Sequence, residues 1–279
     1  MQKDSQTSVF LCSFVVKYET ELKCRGSDNM TVQHDDEPKK QSIRLKSDLS
    51  VLDWLFIYSG TIVLVNLLIG TQLYPSRWMA SLLPGGANDV NLLFIHEILQ
   101  CALIAGGVML FLHLRKKNMQ SIGWKEPEDA QDYIRAVIFG VVTCSFMLVV
   151  SGVLTQIFPQ WASTQNVVET TLQVDTRWGL LVSFLSVGVM APLCEELLFR
   201  GYLYHAVRVK FGKWASVIIT SFLFAIVHGQ WFQMVPLFMA GVFLNWFYLR
   251  SESLIATVLM HSAWNTFSLF LVVYLNIYV

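Results

Sequence analysis

The chain has 279 residues, 54% of them hydrophobic and only 14% charged, and its 20 basic and 20 acidic side chains cancel. Soluble domains carry about 25% charged residues, so a mean hydropathy of +0.50 points to long apolar segments and an integral membrane protein. Zero net charge leaves no electrostatic footprint for nucleic acid; the lipid bilayer is the partner that the composition implies.

Residues 1–48 are polar and mixed in charge, with the run HDDEPKK near their end. The apolar patch SVFLCSFVV is short and flanked by Asp4 and Lys17. It lacks the basic start and small-residue cleavage site of a signal peptide, and Leu11 before Cys12 is too large for a lipoprotein signal. The expectation is a poorly ordered cytoplasmic tail ahead of a membrane domain at 49–279, with the Asn29-Met30-Thr31 sequon on the wrong side of the membrane for glycosylation.

From Val51 onward seven apolar segments stand out, over 52–73, 91–114, 135–158, 178–200, 214–229, 233–249 and 254–275. A span needs about 20 apolar residues, so the predicted fold class is all-α, a polytopic transmembrane helix bundle of about seven spans. Pro192 is expected to kink the fourth of them. Basic residues collect before the first segment (Arg44, Lys46), after the second (Arg115, Lys116, Lys117, Lys125) and after the fourth (Arg208, Lys210, Lys213). That bias puts the N-terminus in the cytoplasm and the C-terminus outside, in a bacterial plasma membrane.

Trp54, Trp178, Trp214 and Trp231 fall near predicted boundaries, as an aromatic belt would place them. IGWKEPEDAQDYIRAV reads as an amphipathic connector, with Pro127 ahead of a new helix. RGYLYHAVRVKFGKW alternates aromatics with bases and is expected in the inner interface. Five scattered cysteines, without a CxxC, argue against a disulfide framework or a zinc ribbon and for buried free thiols.

Ionisable groups inside spans are expensive and are functional candidates by default. Glu195 and Glu196 sit side by side, with Arg200 four residues after Glu196. His228 ends the run SFLFAIVH one turn after Phe224. His261 and Asn265 stand four apart in HSAWN, on one helix face. Peptide hydrolysis needs a water, a base for it and donors for the developing oxyanion. Glu195, His228, His261 and Asn265 supply those parts from three helices. The i,i+4 spacing pairs Glu196 with Arg200, which assigns Glu196 to structure and leaves Glu195 facing a cavity.

EELLFR resembles the EExxxR motif of the CPBP family of intramembrane proteases, which includes CaaX-prenyl endopeptidases and bacteriocin-processing enzymes. FAIVH is similar to its FxxxH motif and HSAWN to its HxxxN motif, in the same order. The resemblance implies an intramembrane endopeptidase acting on a peptide or membrane-protein substrate. In it Glu195 and His228 activate water, and His261 and Asn265 shape the oxyanion site. Arg200 and Glu196 belong to the first motif and Phe224 to the second. It leaves open whether a metal takes part: Glu195, His228 and His261 form a donor set for one divalent ion such as zinc, and a metal-free glutamate mechanism uses the same atoms.

HEILQ at 96–100 has Gln100 where a zincin needs its second histidine, so His96 and Glu97 are expected to bridge helices or contact substrate. No GxSG and no GxGD pattern occurs. Two rivals are a non-catalytic scaffold or immunity protein retaining the motifs, and a small proton-coupled transporter. The first is disfavoured by the intact residues and the second by the lack of repeated halves. Depth is the one obstacle: counted from Trp214, His228 lies about 21 Å along its own helix at 1.5 Å per residue, far from a Glu195 at the end of the preceding one.

Overall fold

The computed structural model describes residues 49–70, 75–161 and 176–275. The tail expected over 1–48, its sequon, Cys12 and Cys24 lie outside the described residues. Within them every regular element is helical. The helices are α1 (Val51–Gly70), α2 (Pro75–Ser81), α3 (Asp89–Leu114) and α4 (Gln131–Ile157). A single helical run, Arg177–Val227, follows, and then α8 (Met234–Ser251) and α9 (Leu254–Leu275). The run contains α5 (Arg177–Ser183), α6 (Ala191–Glu196) and α7 (Tyr204–Val227), joined by π-helical turns at Phe184–Met190 and Leu197–Leu203.

Four of these helical runs are long and apolar enough to cross a membrane, namely Asp89–Leu114, Gln131–Ile157, Arg177–Val227 and Leu254–Leu275. The bundle is therefore all-α, as the apolar segments predict. The fourth and fifth predicted segments are not separated by a loop, however. They are two arms of one run that bends at Gly212, where φ is 78° and ψ −179°. Such a conformation costs glycine little and any other residue much.

The fold-back is visible in side-chain contacts. Phe199 and Phe224 meet edge to face at 5.3 Å between ring centroids, although 25 residues of straight helix would hold them about 38 Å apart. The residues after Arg200 are also deeper than expected. Gly201, Tyr202, Leu203 and Tyr204 are all buried, so the first half of RGYLYHAVRVKFGKW is core and not interface. Only its second half, with Phe211 and Trp214, is exposed.

Close helix contacts are made where side chains are small. Gly140 of α4 lies directly on the α9 backbone: a Cβ there would collide with the Met260 carbonyl oxygen and stand 2.9 Å from the Trp264 nitrogen. Gly241 of α8 approaches Ser221 of α7 as closely, its virtual Cβ 3.0 Å from Ser221 Cα. Beside it Asn245 Nδ2 donates to Ser221 Oγ at 3.0 Å and to the Gly241 carbonyl at 2.9 Å.

Polar ties fix the ends. Asp53 of α1 accepts two bonds from Arg115, at 3.0 and 2.9 Å, and one from the Tyr202 hydroxyl at 2.8 Å. Beyond the spans, the Gln131 backbone N–H and then the Arg135 guanidinium hold the Asp129 carboxyl below the usual carboxylate range, at the start of α4. Trp54 is buried, stacked on Tyr58 and edge-on to Phe199, and so is not part of an aromatic belt. Trp214 and Trp231 are exposed. Trp178 donates to Asn91 Oδ1 at 3.0 Å.

The cysteines also depart from expectation. Cys101 of α3 and Cys194 of α6 form a disulfide with a Cα–Cα separation of 5.4 Å, inside the range that the bond requires. Their separation of 93 residues hides the pairing from any spacing rule. Cys144 is free and buried.

Candidate active site

Pro192 lies inside the continuous helical run, just after the first π-helical turn, where its missing N–H deprives the preceding turn of one backbone donor. A π-helical turn stands on each side of α6. π turns inside α-helices recur at functional sites. Here the two of them bracket Cys194, Glu195 and Glu196.

The adjacent acids point to different surroundings. Glu196 is wholly buried. Its Oε1 accepts from Arg200 Nη1 at 2.8 Å and lies 2.8 Å from His261 Nδ1. Arg200, equally buried, also donates to the Gly241 carbonyl at 3.2 Å, and its guanidinium sits 4.6 Å from the centre of the Phe224 ring. The i,i+4 pair expected from the sequence is thus present, and it is one segment of a longer chain running from the α8 backbone to the α9 imidazole.

Glu195 opens instead onto a cavity of about 220 Å³. Glu195, Phe224, His228, His261 and Asn265 all line it. Glu195 Oε1 is 3.9 Å from His228 Nε2, and Oε2 is 3.8 Å from His261 Nε2. The depth obstacle disappears because the second arm of α7 folds back along the first and delivers His228 to Glu195.

The hydrogen bonds on the far sides of the two rings determine their tautomers. His228 Nδ1 lies 2.7 Å from the Phe224 carbonyl, which only accepts. His261 Nδ1 faces a carboxylate held by an arginine, which also only accepts. Each Nδ1 therefore carries the hydrogen, and in the neutral ring each Nε2 presents a lone pair toward Glu195. Trp264, three residues after His261, stacks on its ring at 5.0 Å. Asn265 Nδ2 donates to the Val187 carbonyl in the first π turn at 2.9 Å, which fixes the amide plane and leaves its second N–H for another acceptor.

Sequence reasoning passed over Trp264, although it lies inside the HSAWN motif. Glu97, expected to bridge helices or contact substrate, lines the cavity together with Leu93. As donors, Glu195 and the two Nε2 atoms have the chemistry of a catalytic zinc site. Among the described residues, though, no three His, Cys, Asp or Glu side chains stand close enough together to hold an ion.

Residues 177–267 match the family model described as type II CAAX prenyl endopeptidase Rce1-like. Two curated proteins are similar. One is the UPF0177 protein YxdF of Lactococcus lactis subsp. lactis (strain IL1403), 26% identical over 136 residues, or 48% of this chain and 73% of that protein. The other is an uncharacterized 24.3 kDa protein of Escherichia coli, 32% identical over 95 residues, which covers 32% of this chain and 44% of that protein. No solved structure matches the chain. The matched segment holds all seven motif residues and much of the cavity lining, while Leu93 and Glu97 of α3, Met147 of α4 and the end of α9 lie outside it.

Proposed function

We propose, from the Rce1-like domain at residues 177–267, that the protein is an intramembrane endopeptidase in which a water held between Glu195 and His228 attacks the peptide carbonyl. The observation that carries this reading is the pair of separations around Glu195, 3.9 Å to His228 and 3.8 Å to His261. Both exceed a direct hydrogen bond, and both suit a water bridging the two groups.

In this mechanism the water donates one hydrogen to Glu195 as its oxygen bonds to the carbonyl carbon. His228 Nε2 accepts the other hydrogen and orients the lone pair. Glu195 then passes its proton to the departing amide nitrogen as the C–N bond breaks, which regenerates the carboxylate. Charge develops on the carbonyl oxygen. The free N–H of Asn265 serves it, and so does His261 Nε2 when that ring is an imidazolium. Neutral His261 has no hydrogen on Nε2 to give, so its oxyanion role requires the proton, with Glu196 balancing the charge.

The substrate is an apolar peptide segment presented within the membrane. A prenylated C-terminal cysteine peptide, a leader peptide and a membrane protein all have that character. The basic residues at 115–117 and 208–213 support a cytoplasmic N-terminus.

The reading is tested by comparing purified wild type, Glu195→Gln and Asn265→Ala on a panel of membrane peptides, with and without chelator. Loss of Glu195 should lower kcat by about 100-fold or more. Loss of Asn265 should lower kcat more than it raises KM, since an oxyanion donor acts in the transition state. Equal cleavage by wild type and Glu195→Gln would overturn the mechanism. Activity abolished by chelator and restored by added zinc would replace it with a metal-based one.

A further inference from the structure

The cavity contains a carboxyl group that this mechanism does not use. Glu97 stands on α3, where it and Leu93 line the same cavity as Glu195. Its Oε2 is shut off from solvent and accepts no hydrogen bond among the described residues. Its Oε1 lies 3.5 Å from His96 Nδ1, an atom that is itself without a hydrogen-bond partner there. The two neighbours therefore do not complete each other. A carboxyl oxygen left unmatched inside a bilayer is costly, and such residues are kept where they contact something that passes through.

Glu97 is also held in place. Cys101 follows it by one turn on the same face of α3 and is bonded to Cys194, the residue immediately before Glu195. The disulfide fixes the register of α3 against α6, and with it the relation of Glu97 to Glu195. The charges around them do not balance. Arg200 is spent on Glu196, and among the described residues no lysine or arginine lines the cavity. Two carboxyl groups thus share a space whose basic side chains, among the described residues, are the imidazoles of His228 and His261, both already turned to Glu195.

We propose that Glu97 is a specificity-determining residue: it receives the ammonium or guanidinium of a lysine or arginine placed beside the scissile bond of an otherwise apolar substrate segment. The word scissile rests on the endopeptidase reading; the binding preference does not. A cation there engages the Glu97 carboxylate by a charge-assisted hydrogen bond. An apolar residue at the same place leaves both carboxyl groups facing hydrocarbon.

The test measures binding and cleavage separately. Fluorescent apolar peptides that differ at one central residue (lysine, arginine, norleucine or glutamate) are titrated by anisotropy against the full chain in lipid nanodiscs. Wild type and Glu195→Gln should both bind the lysine and arginine peptides about tenfold more tightly than the norleucine peptide. Glu97→Gln should erase that preference without lowering the unfolding temperature, and Glu97→Lys should transfer it to the glutamate peptide. Equal binding of lysine and norleucine peptides by wild type would overturn the proposal. So would a lysine preference that survives in Glu97→Gln, or a Glu97→Gln variant that loses only stability. Cleavage of bound peptide by wild type and not by Glu195→Gln is scored on its own. A failure of catalysis with the charge preference intact would count against the mechanism and not against Glu97.

Discussion

At the scale of single residues, the two adjacent glutamates have separate tasks because their environments differ. Glu196 lies between a guanidinium and an imidazole with no access to solvent, whereas Glu195 opens on the cavity. Removing one member of a buried ion pair leaves the other charge uncompensated and costs about 3–5 kcal/mol. Glu196→Gln should therefore lower the unfolding midpoint markedly, and in whatever fraction folds it should also lower kcat, because a neutral amide no longer balances an imidazolium at His261. A midpoint close to wild type would show that Arg200 is held by the Gly241 carbonyl and the Phe224 ring alone. Part of this arrangement was legible in the sequence. The i,i+4 spacing gave the Glu196–Arg200 pair, since that contact is local. The Glu196–His261 bond was not legible, because it joins positions 65 residues apart and no local rule reaches that far.

At the scale of elements, the site depends on how closely helices approach and where they change direction. α9 carries both His261 and Asn265, and its contact with α4 is set at Gly140, where the Met260 and Trp264 backbones leave no room for a methyl group. Backbone cannot rotate away as a side chain can, so Gly140→Ala should separate the two helices and cost about 2 kcal/mol, in the range of overpacking in a tight core. Since the contact is flanked by Met260 and Trp264, it should also move His261 away from Glu195 and lower kcat in the folded protein. Loss of stability with kcat unchanged would mean that α9 tilts about the site and keeps its geometry. Hydropathy identified α4 and α9 from composition alone. It misjudged the Arg177–Val227 run, because an apolar window cannot distinguish a loop from a helical arm that bends back at one glycine. The π turns on either side of α6 were equally invisible: the sequence pointed only to Pro192, which lies between them.

At the scale of the whole molecule, the cavity is built by α3, the Arg177–Val227 run, α4, α8 and α9, while α1 contributes none of its lining among the described residues. What attaches α1 is an apolar contact through Trp54 and the Asp53 carboxylate, which binds Arg115 at the end of α3 and Tyr202 in the second π turn. Sequence reading assigned Arg115 to a loop that orients the chain in the membrane, which accounts for its charge and not for its partner. Tyr202 lies two residues after Arg200, so this tie supports from behind the turn that presents the Glu196–Arg200 pair. Asp53→Asn removes the carboxylate and weakens three hydrogen bonds, two of them to a guanidinium; with Arg115 partly solvated, the loss should be about 2 kcal/mol. Because α1 is remote from the cavity, kcat per folded molecule should stay within about twofold of wild type, a change worth less than 0.5 kcal/mol. Measuring the unfolding midpoint together with the turnover of the folded fraction separates the alternatives. A lowered midpoint with normal turnover makes α1 a brace. A parallel fall in turnover would mean that the second π turn transmits its position to Glu196 and His261, and that the catalytic geometry extends as far as the first helix.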